Sequence, residues 1–138
     1  KMVGFQAAGA APIVEDRVIL EPKTLATAIR IGNPASWGLA KEALHDSQGW
    51  IDAVTDEEIV RGYRLLAREE GIFMEPASCA TVAGLTKMVK AGRFEPGSTI
   101  VLTLTGHGLK DPDTALESAT RPVSVPARLD AVLAQLGL

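Results

Sequence analysis

Thr105-Gly106-His107-Gly108 follows directly on the apolar, β-rich run Thr99–Leu104, and it gathers groups that chemistry uses. Thr105 carries a hydroxyl that donates or accepts, the two glycines let backbone approach a ligand closely, and His107 carries an imidazole that can donate or accept. In open α/β sheets ligands sit beyond the carboxyl ends of the strands, so a string in this position suits a binding site. The same residues also suit a plain strand-to-helix turn, with the hydroxyl satisfying local backbone. His107 invites a general-base assignment, but a ring between two glycines is expected to support the turn. Lys110 is expected to be a solvated charge near a helix start rather than a Schiff-base amine. Asp111, ahead of Pro112, can cap the next helix.

Other reactive types are sparse. Glu75 precedes a helix of small residues and is expected to be a partly solvated carboxylate that helps the helix start, rather than part of an anion site. Asn33 lies between Gly32 and Pro34, where it serves either as an Asn-Pro turn or as a contact to a ligand. Cys79 falls in an apolar helix and reads as a buried thiol. One cysteine and two distant histidines, His45 and His107, allow no intrachain disulfide and make a poor metal inventory. With 14 basic side chains against 17 acidic ones, a net charge of −3 and no basic cluster, nucleic acid is not an expected partner. No apolar run is long enough for a membrane span, no signal peptide is legible, and the expected compartment is the cytoplasm.

The elements that must position these residues alternate between strand and helix. Met2–Gln6 reads as a strand, the small-residue stretch up to Pro12 as the opening of a short helix, and Glu15–Thr24 as a surface connection. Residues 24–30 supply one or two helical turns, and Pro34 leads into a helix from Ala35 to about Ser47. Trp50–Val54 is a second strand. Thr55 and Glu58 form a capping box, Ile59, Val60, Tyr63, Leu66 and Ala67 share one helix face, and Gly71 stops that helix. Residues 72–75 are too short to classify. Pro76 begins a helix to about Ala91, with Gly92 as its stop, and its all-round apolar first half belongs in a core. Phe94–Gly97 is a turn, Thr99–Leu104 a strand covered on both faces, and the last helix spans Pro126–Leu136. Strands alternating with helices predict an α/β layer around a parallel sheet, here with three strands. At 138 residues one domain, or a piece of a larger one, is expected. The strand pattern starting next to Lys1 favours a piece.

Three strings in order, Ile29-Arg30-Ile31-Gly32-Asn33-Pro34-Ala35-Ser36-Trp37, Glu75-Pro76-Ala77-Ser78 and Leu104-Thr105-Gly106-His107-Gly108-Leu109-Lys110-Asp111-Pro112, resemble threonine synthase. The resemblance runs from Phe5 to about Pro112. It implies a pyridoxal-phosphate enzyme of the tryptophan-synthase β-like fold, with residues 1–138 as the C-terminal portion of its large cofactor-binding domain, in a parallel-sheet α/β/α layer. It implies conversion of O-phospho-L-homoserine and water into L-threonine and phosphate, with Thr105 hydrogen-bonding the pyridine nitrogen of pyridoxal phosphate and Asn33 near the cofactor face. The family's Ser-Phe-Lys-Asp string, which carries the Schiff-base lysine, and its Gly- and Asn-rich phosphate loop do not occur in these residues. The 138 residues alone are therefore expected to be inactive, not to bind pyridoxal phosphate, and to associate as a homo-oligomer. The competing readings are a sibling serine or threonine dehydratase and a non-catalytic interaction module on the same scaffold.

Overall fold

The capping box at Thr55 starts the helix on which the core is built. In the computed structural model, which describes residues 1–119 and 121–138, the Glu58 amide donates to Thr55 Oγ1 at 3.2 Å and the Thr55 amide donates to Glu58 Oε2 at 2.8 Å. Two of the amides that a helix start leaves without partners are thereby satisfied, and α3 runs from Asp56 to Glu70. Gly71 ends it with φ +67, a left-handed conformation that glycine adopts at little cost. Helix α4, Pro76–Lys90, begins with proline in its first turn, where the missing amide hydrogen costs nothing.

These two helices pack closely because their facing residues are small. A Cβ on Gly62 of α3 would lie 3.1 Å from the Ala83 amide nitrogen and 3.1 Å from the Cys79 carbonyl oxygen of α4. The same helix meets the sheet through Gly84, where a Cβ would overlap the Phe5 ring. The sheet is a parallel pair, β1 (Val3–Ala7) beside β2 (Trp50–Val54), in register from Val3 opposite Trp50 to Ala7 opposite Val54. Ala7, Ala26, Val54, Ile59, Cys79, Ala80 and Ala83 form the buried core, ringed by Phe5, Tyr63, Leu66 and Met74. Lys87 of α4 donates to the Ala53 carbonyl at 2.7 Å and pairs with Asp52 at 3.2 Å, tying the helix to β2. Asp56 accepts from the Thr24 hydroxyl and from the Leu25 amide, which fixes the incoming loop against the start of α3.

The remaining elements are short: α1 (Pro12–Glu15), a 3₁₀ turn at Thr27–Ile29, α2 (Trp37–Asp46), a 3₁₀ turn at Gly108–Lys110, α5 (Pro112–Ser118) and α6 (Leu129–Leu136). The parallel α/β class is as expected, with three local differences. Helix α2 starts at Trp37 rather than Ala35, because Ala35 and Ser36 are spent on a turn after Pro34. Helix α6 starts at Leu129 rather than Pro126, because Arg128 is extended at φ −134, ψ 140 and cannot continue a helix from the proline.

The largest difference is at Thr99–Leu104. This run is not a covered central strand: it joins no sheet among the described residues, and Ile100 and Val101 are exposed. β propensity reports fit to a pleated, half-buried surface, and a strand exists only where a neighbour takes its backbone hydrogen bonds. Among the described residues no helix is long and apolar enough to cross a membrane.

Candidate functional site

Residues 72–75, between the two long helices, pair with the Thr-Gly-His-Gly string. The Gly108 amide donates to the Phe73 carbonyl at 3.1 Å, the Glu75 amide donates to the Gly106 carbonyl at 3.0 Å, and Met74 bridges His107 in antiparallel sense. The first turn of α4 completes the attachment: the Gly106 amide donates to Ser78 Oγ at 2.8 Å. Both backbone polar groups of Gly106 are thus satisfied from the start of one helix.

The glycines here are steric requirements. A Cβ on Gly106 would overlap the Glu75 carboxyl, and one on Gly108 would overlap the Phe73 ring. Glu75 is only 4% exposed, and its Oε1 accepts from Lys110 Nζ at 3.1 Å, while the Lys110 side chain itself is 58% exposed. Glu75 is therefore not the partly solvated helix starter expected, since it makes no side-chain cap on α4. It is a buried carboxylate, and a buried charge needs a partner, which Lys110 supplies. Lys110 is correspondingly not a simple solvated charge.

His107 supports the turn. Its Nδ1 accepts from the Leu109 amide at 3.1 Å, capping the 3₁₀ turn, and its ring meets Phe73 edge-on with centroids 5.6 Å apart. Asp111 caps α5 by accepting from the Thr114 amide at 3.3 Å. Cys79 is fully buried, and burial pushes its thiol up to about 11, with the nearby Glu75 carboxylate adding to the effect. At neutral pH it is a thiol and not a nucleophile.

Thr105 sits one residue before this clasp, with Oγ1 3.5 Å from Ser78 Oγ. It is exposed, and it does not stand at the end of a central strand as its position after Leu104 suggested, because the run before it joins no sheet among the described residues. Neither a groove of about 710 Å³ between α3 and α4 nor a cavity of about 550 Å³ bounded by β1, Trp50 and residues 99–103 includes it. Asn33 is likewise exposed, beside a Gly32 that packs against the Ile19 carbonyl, and no hydrogen bond joins it to the Thr105 cluster among the described residues. The structure thus brings Thr105, Gly106, His107 and Lys110 together with Glu75 and adds Ser78, which sequence reasoning did not single out. Its signals were its place at the end of the Glu75-Pro76-Ala77-Ser78 string and its being a polar residue in a small-residue helix start.

The parallel α/β scaffold is shared with known proteins. Residues 1–106 match the family of pyridoxal-phosphate dependent enzymes, and the chain belongs to that family. Within it, the chain is 60% identical over 118 residues to threonine synthase of Halalkalibacterium halodurans, covering 86% of this chain and 33% of that protein. It is 54% identical over 138 residues to threonine synthase of Mycobacterium leprae, covering 100% of this chain and 38% of the relative. The chain thus spans about a third to two-fifths of the length of these curated relatives. Among solved structures, a threonine deaminase from T.th. aligns with a TM-score of 0.52 at 18% identity, over 68% of this chain and 35% of that one, a likeness of fold.

Proposed function

We propose that residues 1–138 are the C-terminal portion of the large cofactor-binding domain of a threonine synthase, which turns O-phospho-L-homoserine and water into L-threonine and phosphate. The observation that carries this reading is identity of 54% over all 138 residues to a threonine synthase, against 18% to the threonine deaminase of similar fold. Pyridoxal phosphate, when bound, supplies an electron sink for negative charge developing on substrate carbons.

The residues around Thr105 fit one end of such a group. The Thr105 hydroxyl is exposed and has only a long 3.5 Å contact to Ser78, so it retains capacity for a ring nitrogen. The nearest charges in the clasp, Glu75 and Lys110, neutralise each other. Thr105 therefore offers a neutral hydroxyl, which does not enforce protonation of a pyridine as a carboxylate would. Asn33, carried by the tightly packed Gly32, contributes to the cofactor's face. The covalent lysine and the phosphate grip come from outside these residues, and the 138-residue chain alone turns nothing over. The exposed side chains of Val101, Leu109 and Leu116 support association with further polypeptide, including a second copy in a cytoplasmic homo-oligomer.

The test is to supply the full-length protein with O-phospho-L-homoserine and, separately, with L-threonine and L-serine. Equal release of inorganic phosphate and L-threonine from the first is the expected result. Production of ammonia and a 2-oxo acid from the others, with no phosphate release from the first, overturns the reading in favour of a dehydratase.

A further inference from the structure

A hydroxyl that must meet one ring nitrogen has to be held to within about 0.5 Å. Within the described residues Thr99–Leu104 joins no sheet, and the ties that hold Thr105 come from the residues after it. The amide of Gly106 donates to Ser78 Oγ at 2.8 Å, and its carbonyl accepts from the Glu75 amide at 3.0 Å. The peptide unit joining Thr105 to Gly106 is thus anchored to the first turn of α4.

A second tie closes the loop. Glu75 fills the space over Gly106 that a side chain would take, and it pairs with Lys110, further along the same loop from Thr105. Loop 105–110 is held at one end by Ser78 and at the other by Glu75, both from the start of α4. The Ser78 hydroxyl also has a direction to give. Its oxygen already accepts from Gly106, so its proton is free for the Gly106 carbonyl or for Thr105 Oγ1, each 3.5 Å away. A proton turned toward Thr105 Oγ1 occupies an acceptor site there and leaves the Thr105 proton directed outward, toward the ring.

We infer that Ser78 is a positioning residue for the Thr105 hydroxyl, and that the Glu75–Lys110 pair is the second fastening of the same loop. The inference rests on the reading of Thr105 as the contact to the cofactor's ring nitrogen.

The experiment is a double-mutant cycle in the full-length holoenzyme with Ser78→Ala, Thr105→Val and the double variant, reading kcat, KM for O-phospho-L-homoserine and the cofactor absorbance maximum. If Ser78 acts through Thr105, Ser78→Ala lowers kcat by about tenfold, the order of one lost hydrogen bond, while KM moves by less than about twofold. It also shifts the absorbance maximum in the same direction as Thr105→Val, and the double variant is no worse than Thr105→Val alone. Multiplicative losses, or an absorbance maximum unmoved by Ser78→Ala, overturn the inference. Should Ser78→Ala not fold, Lys110→Met decides from the solvent-exposed end: a smaller shift of the same band, restored by Lys110→Arg, supports the inference, and an unmoved band overturns it. A band unmoved by Thr105→Val itself removes the reading of Thr105, whatever Ser78 does.

Discussion

Trp50–Val54 and Thr99–Leu104 are both short, apolar and β-rich, yet only the first is a strand. Trp50–Val54 pairs with β1 along its whole length and buries Val54 completely between sheet and helices. Thr99–Leu104 finds no partner among the described residues and leaves Val101 86% exposed. Local composition therefore sets the willingness to form a strand, and a neighbour's backbone decides whether one forms. The site lies at the junction of the two situations. Thr105 ends the unpartnered run, and Gly106 begins a segment fastened by Phe73, Glu75 and Ser78.

The contrast is sharpest in a matched pair of substitutions. Val54→Ala removes two buried methyl groups and should destabilise the chain by about 2 kcal/mol in urea titrations. Val101→Ala, on an exposed side chain, should stay within about 0.5 kcal/mol. Equal losses would mean that the 99–104 run is packed as tightly as β2, and the contrast would fail.

A pH titration probes the core side of the comparison. The Cys79 thiol is raised from 9.0 to about 11 by burial, so the unfolded chain releases this proton before the folded one does. The associated stability is present below pH 9 and is lost as pH rises toward 11, by about 3 kcal/mol at most. Stability curves of Cys79→Ala should lack that fall between pH 9 and 11, and an unchanged slope would contradict the assignment. Gly106→Ala, which forces a Cβ onto the Glu75 carboxyl, should cost about 1–3 kcal/mol by overpacking, with the accompanying loop displacement visible as faster amide exchange at Gly108. A smaller effect, above only that of Val101→Ala, is expected at the capping box, where Thr55→Ala should cost about 1 kcal/mol in thermal unfolding because α3 keeps its tertiary packing.

What was legible in the sequence depended on how local the signal was. The start and stop of α3 lie in Thr55, Glu58 and Gly71, whose hydrogen-bond partners belong to the helix itself or its cap. The burial of Cys79 follows from the small apolar helix around it. The clasp was not legible, because Ser78 and Glu75 find their partners at Gly106 and Lys110, 28 and 35 residues further along. A buried glutamate looks in sequence like any helix-start glutamate until its lysine is brought to it. The same logic explains Thr99–Leu104: its pattern predicts a covered strand, and pairing is the non-local part that pattern does not contain.

The proposed contact between the exposed Thr105 hydroxyl and the cofactor is tested most directly by Thr105→Val in the full-length holoenzyme. With far-ultraviolet circular dichroism unchanged, the expected result is a displaced cofactor absorbance maximum and a fall in threonine formation of about fivefold or more, as for a lost hydrogen bond of at least ~1 kcal/mol. An unmoved absorbance band together with wild-type turnover would contradict it.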